Sequence, residues 1–188
     1  RSHLHGDIGF TAVLHTWTQK LRFHPHLHCL VPAGVWKALR WVPTGNRFFL
    51  PLKKLQPVFK GKLLAQLRAA VEAGELPLPE HDARDLMARA GRKRWGIRIE
   101  PPLDGPSHVV DYLSRYVHRI AISNSRIVHY DGQTVVFRYK DRQDGDRTKP
   151  TSVSGEKSCS LFLQHVLPHR FVRIRHYGLL ASRRRSDL

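Results

Sequence analysis

A chain of 188 residues with 32 lysines and arginines against 15 aspartates and glutamates carries a net charge of +17, and is long enough for one domain with a real core. A charge that high repels itself unless a polyanion neutralises it, which puts nucleic acid first among partners, ahead of an anionic membrane or a small-molecule substrate. No apolar run approaches the roughly 18 residues of a membrane span, no charged-then-apolar leader opens the chain, and two cysteines, Cys29 and Cys159, make no disulfide framework. A reducing cytoplasm is therefore the expected setting. The chain opens at Arg1 and its one methionine is Met87, so a fragment of a longer protein is expected.

Ile8 to Trp17 is β-branched and aromatic and reads as a buried strand. After a polar connection, His26 to Val31 reads as a second strand, ended by Pro32-Ala33-Gly34. Val35 to Val42 and Arg47 to Leu50 read as a hairpin around Pro43-Thr44-Gly45-Asn46. From Leu52 to Ala73 the apolar period changes to three and four, which predicts an amphipathic helix closed by Gly74. Leu76 to Pro79 is a linker, and Asp82 is the expected N-cap of a helix reaching Ala90. Arg92-Lys93-Arg94 is a basic turn, and Trp95 to Glu100 alternates as a strand does.

Gly105-Pro106 opens a third helix, expected to end near Arg119, with proline in its favoured first turn. Arg126 to Tyr130, Thr134 to Lys140 and Arg147 to Val153 are strand candidates, joined by Asp131-Gly132 and Asp144-Gly145 turns. Glu156 to Val166 reads as a helix stopped by Pro168, and Phe171 to Tyr177 as a last basic strand or arm. Ala181 to Leu188 is a polar tail. The fold class expected from this order is α+β, an antiparallel sheet with flanking helices.

Two stretches carry chemistry. In a strand alternate residues share a face, so His26 and His28 point the same way, about 7 Å apart along the strand, with Leu27 and Cys29 on the expected core side. Such a pair can hold one divalent ion if a third ligand joins it; His24, Gln19, Asp7 and His118 are the candidates. Pro25 beside the pair argues for a site at the rim of a sheet. With 13 histidines in the chain, a His-x-His pair also arises by chance.

The second stretch is the third helix. Tyr112 and Tyr116 lie about 40° apart on a helical wheel, flanked by Arg115 and Arg119, beside an apolar stripe of Val109, Val110, Leu113, Val117 and Ile120. Most tyrosine pairs at this spacing are ordinary border aromatics. Here the arginines and the histidine strand point to covalent catalysis on a phosphodiester. A phenol with a pKa of ~10 is a poor nucleophile at neutral pH, and Mg²⁺ or Mn²⁺ would polarise the scissile phosphate. Attack yields a phosphotyrosine and a free hydroxyl, and rejoining needs no ATP.

At these motifs the chain resembles the HUH-type two-tyrosine transposases of rolling-circle insertion sequences. The residues that carry the likeness are Ala12 to Trp17 (AVLHTW), His24 to Pro32 (HPHLHCLVP), Phe48 to Pro51 (FFLP), Tyr112 to Ile127 and Arg173 to Leu180 (RIRHYGLL). The resemblance implies an HUH endonuclease-like catalytic domain over residues 1–180, with 181–188 as a basic tail. It implies His26 and His28 as metal ligands and Tyr112 and Tyr116 as nucleophiles. It also implies cleavage of single-stranded DNA in a bacterial cytoplasm through a 5′-phosphotyrosine. Arg115, Arg119, Asn124, Arg126, Arg173 and Arg175 are the expected DNA contacts. The chain departs from the family pattern in lacking a preceding cysteine-rich region and in carrying Glu100 and Asp104 where lysine and glycine are expected. The alternatives are a replication-initiator or relaxase nickase, and an inactive DNA-binding remnant.

Overall fold

Gly9 to Trp17 forms a strand buried on both faces, which is what a run of β-branched, aromatic and small residues with no charged side chain favours. The computed structural model describes residues 5–44, 51–117 and 121–187, with the backbone alone at 113, 115–117 and 185–187. In chain order the elements are β1 (Gly9–Trp17), β2 (Phe23–Leu30), β3 (Gly34–Lys37), β4 (Arg40–Pro43), α1 (Leu52–Glu72), α2 (Glu80–Arg92), α3 (Gly105–Val117), β5 (Ile127–Tyr130), β6 (Thr134–Asp141), β7 (Arg147–Ser154), α4 (Gly155–Leu163) and β8 (Ile174–Gly178). Short 3₁₀ turns span Asn124–Arg126, Arg142–Asp144 and Ser182–Asp187. The class is α+β, with every paired strand antiparallel.

The chain divides into two compact units, Arg1–Pro43 with Leu103–Leu188, and Thr44–Pro102. The first holds the three sheets found among the described residues, ordered β2-β1-β8, β3-β4 and β5-β6-β7. Its core is Leu21, Ala121 and Phe137, packed by Trp17, Ile122, Val135, Val153 and Leu161. Leu21 sits in the β1–β2 connection at φ 59°, a left-handed conformation that costs a leucine roughly 1–2 kcal/mol. Its side chain is fully buried, and burial of a leucine contributes about 1.5–3 kcal/mol, enough to offset that cost. The connection is closed by Leu21 N–H to Thr18 O at 3.0 Å and Thr18 N–H to Arg22 O at 3.1 Å.

Several sequence expectations shift. The second hairpin turns at Ala38-Leu39, both at positive φ, so that Lys37 faces Arg40 and Trp36 faces Trp41. The strand that pairs with β3 is therefore Arg40–Pro43; the expected strand Arg47–Leu50 and the end of the expected turn, residues 45–50, lie outside the described residues. Gly34 is fixed by this pairing, since a Cβ there would stand 2.2 Å from the Trp41 ring. The helix expected to be capped by Asp82 starts at Glu80, with Pro79 as N-cap and Asp82 in its acidic first turn. Trp95 to Glu100 forms no strand. Trp95 turns back instead, its indole N–H donating to Ala90 O at 2.9 Å and its carbonyl accepting from the Gln56 side chain.

The expected core side of β2 is also corrected. Leu27 is 52% exposed and Cys29 is exposed, because β2 is an outer strand of its sheet. On α3, Val110 from the expected buried stripe is exposed as well. α4 ends at Leu163, three residues early, and His165 beyond it turns into the interior.

Candidate active site

The β1–β2 register builds the site. His15 stands opposite His26 and Val13 opposite His28, so His15, His26 and His28 share one face of the sheet. Among the described residues these three form the group whose geometry suits a metal ion, with one ligand nitrogen from each lying within 4.8 Å of the others. The ring centroids are 5.6 Å apart for His15–His26, 4.7 Å for His15–His28 and 4.9 Å for His26–His28. Three imidazoles at these spacings match the donor set of a divalent transition ion.

The rings are oriented by their other contacts. His26 Nδ1–H donates to His24 O at 2.7 Å, which fixes the tautomer and leaves the lone pair on Nε2. His15 is buried and lies flat on Trp17, centroids 4.7 Å apart at 15°. Burial, with the neighbouring His15 and His26 rings and Arg142 adding to it, holds His28 down to about 4. Its ring is therefore neutral at neutral pH, the form that metal binding requires.

α3 brings Tyr112 to this face. Its phenolic oxygen lies 3.3 Å from His28 Nδ1. The side chains of Tyr116 and Arg115, and all of His118 and Arg119, lie outside the described residues. Of the other third-ligand candidates, His24 contributes its carbonyl, Asp7 pairs with Arg184 at 2.9 Å, and Gln19 offers its main-chain carbonyl to Arg126.

His15 was missed by sequence reasoning. The signal was in AVLHTW, but it needs the hairpin register, which follows from a short connection and an irregularity between His15 and Trp17. His165 was missed too. It is buried, accepts from Thr16 Oγ1 at Nδ1 (3.1 Å) and donates from Nε2 to Leu21 O (3.0 Å). It so ties the end of β1 to the turn that sets the histidine register, and its ring meets Trp17 and Phe23.

The expected DNA contacts fall in different places. Asn124 is exposed in its 3₁₀ turn. Arg126 donates to the main-chain carbonyls of Arg138 (2.8 Å), Ala121 (3.4 Å) and Gln19, and so braces β6 against the β1–β2 connection. The Arg173 carbonyl accepts from Leu14 N–H at 3.0 Å. Arg175 pairs with Ala12 and therefore lies on the face opposite the histidines.

A family model described as "Putative transposase" matches residues 9–187. The chain is 43% identical over 195 residues to "Putative transposase y4qJ" of Sinorhizobium fredii (strain NBRC 101917 / NGR234), an alignment covering 98% of this chain and 49% of that protein. It is 31% identical over 192 residues to "Transposase for insertion sequence element IS801" of Pseudomonas savastanoi pv. phaseolicola, covering 94% of this chain and 44% of that protein. The chain thus spans about half the length of these curated relatives. No solved structure matches it.

Proposed function

The chain belongs to this transposase family, and from that premise we propose that it forms the part of a transposase that nicks and rejoins single-stranded DNA at the ends of an insertion sequence. In this reading it is an HUH-like catalytic domain acting on DNA inside a bacterial cell. Tyr112 is the nucleophile next to the metal histidines, and Tyr116 is a second nucleophile. The observation that carries the reading is the 3.3 Å contact between Tyr112 and His28, a member of the histidine triad.

His15, His26 and His28 would hold the ion, which supplies polarisation of the scissile phosphate and charge stabilisation at its oxygens. The all-nitrogen donor set favours Mn²⁺ over Mg²⁺, since Mg²⁺ prefers oxygen ligands. His28 donates Nδ1–H to the Tyr112 oxygen while Nε2 keeps its lone pair for the ion. That hydrogen bond favours the phenolate over the phenol. Tyr112 loses its phenolic proton to solvent, its oxygen forms a bond to phosphorus, the P–O3′ bond breaks, and the 3′ oxygen leaves and takes up a proton from solvent. The product is a 5′-phosphotyrosine, whose reversal by another 3′-hydroxyl joins strands without ATP.

The test is covalent capture with Mn²⁺ and 3′-labelled single-stranded DNA taken from the flanks of the gene. Label should appear on the protein band in a denaturing gel. It should vanish with chelator and in the Tyr112→Phe/Tyr116→Phe double variant. Tight DNA binding without any adduct, in a longer form of the protein as well, would overturn the reading in favour of a DNA-binding remnant.

A further inference from the structure

The face of the β2-β1-β8 sheet opposite the histidines carries a different chemistry. The stretch that supplies it, residues 169–177 (His-Arg-Phe-Val-Arg-Ile-Arg-His-Tyr), has no carboxylate; its His176 pairs with Thr11 and belongs to the histidine side. In β8, Tyr177 pairs with Phe10 and Arg175 with Ala12. By strand alternation both project away from the face shared by Thr11, Val13 and His28. The Tyr177 ring stacks on Phe10, centroids 4.8 Å apart at 19°, yet stays 41% exposed. Phe171, also 41% exposed, lies under the Arg175 guanidinium, whose carbon is 5.8 Å from the ring centroid. The guanidinium is held there by Arg175 Nε–H donating to Val172 O at 3.3 Å.

An exposed ring already stacked on one side is a platform for another flat partner on the other. A guanidinium resting on a second ring keeps its outward edge for an anion. Bases in a duplex have no open faces, whereas unpaired bases do. Two exposed rings beside a guanidinium, one ring on β8 and one in the segment leading into it, without carboxylates in that stretch, therefore suit single-stranded nucleic acid. A protein segment or a second copy of the chain would bury these arginines without a countercharge offered by the segment itself.

We propose that this face is a second single-stranded DNA site, independent of the metal, in which Tyr177 and Phe171 stack on bases and Arg175 contacts phosphate. The proposal rests on the reading of the chain as a protein of single-stranded DNA. It adds a place for the strand flanking the cleaved bond, on the side of the sheet away from Tyr112.

The experiment measures fluorescence anisotropy of a labelled oligothymidylate of about 12 nucleotides, within the usual site size, with the whole chain in chelator so that no cleavage occurs. Tyr177→Leu and Phe171→Leu keep apolar bulk while removing the ring. Each should weaken binding about tenfold with the salt dependence unchanged. Arg175→Gln should weaken binding and lower the salt slope by about 0.7, the value for one phosphate contact on a single strand. Thermal melts and Mn²⁺ titration of the variants report that the fold and the histidine face are intact.

Leucine variants that bind like the wild type would overturn the platform, as would a change in oligomeric state, which would make the face a contact between copies. Covalent capture separates this outcome from the other one. A wild type that forms adducts while its leucine variants bind DNA normally loses only the platform. One that needs Tyr177 for binding but never forms an adduct with Mn²⁺ loses only the nicking reaction.

Discussion

The two faces of the β2-β1-β8 sheet are made by the same three strands and differ by one residue of phase. On one face, contacts with main chain and neighbouring rings orient the imidazoles: His26 is tied to His24 O, His15 lies on Trp17 and His28 meets Tyr112. On the other, the rings of Tyr177 and Phe171 are backed on one side and open on the other. The difference is the one expected if the first face is a centre that must hold a small ion to a fraction of an ångström and the second, as proposed, a surface that accepts any base. A change confined to one face should leave the other nearly untouched, and that independence can be attacked from either side.

The largest effect should come from His15→Ala. It removes one of the three proposed ligands without touching the back of the sheet. Mn²⁺ affinity measured by calorimetry is expected to fall on the order of 100-fold, and adduct yield with it. Oligothymidylate binding in chelator should stay within about twofold, as for independent distant sites. Unchanged Mn²⁺ affinity would mean that His15 is only a packed core histidine.

A smaller effect is expected one step back from the ligands. His165→Phe leaves the Thr16 hydroxyl and the Leu21 carbonyl without their partner, a cost of about 1–3 kcal/mol in a urea melt. Because those two residues frame the turn that sets His15 against His26, Mn²⁺ affinity should drop roughly tenfold as well. His165→Gln retains a donor for Leu21 O and should recover part of both losses. A variant that loses stability but keeps full Mn²⁺ affinity would reduce His165 to a packing residue.

What the sequence made legible follows the range of the interactions. The placement of His26 and His28 on one face needs only the period of a strand, and the approach of Tyr112 needs only a helix beside it. His15 needs a cross-strand register, which depends on a left-handed Leu21 that no residue preference announces. The β3–β4 turn is hidden for the same reason, since Ala38 and Leu39 take conformations usually given to glycine and asparagine. Trp95 to Glu100 shows the opposite failure: the alternation is there, but no strand lies alongside to pair with it among the described residues. Arg126 is an expected DNA contact by resemblance to the family, and the three main-chain carbonyls that it also meets could not be read from its segment, because only the fold assembles them.

Cys29 offers the finest test, because it lies on one face and is joined in the chain to a histidine of the other. It neighbours His28 in the chain, yet lies in the same cross-strand row as Ala12 and Arg175, and so about 10 Å from Arg175 across two strand spacings. Partial burial pushes its thiol up from the ordinary value, so alkylation by iodoacetamide should be slow near neutral pH and speed up as pH rises. Cys159, exposed in α4, serves as the internal control. With chelator present, oligothymidylate should slow alkylation of Cys29 several-fold and leave Cys159 alone, as mass spectrometry of the labelled peptides would report. Mn²⁺ without DNA should leave both rates unchanged. If the ion alone protects Cys29, ordering of β2 by its histidines reaches through the strand to the other side, and the two faces act as one site.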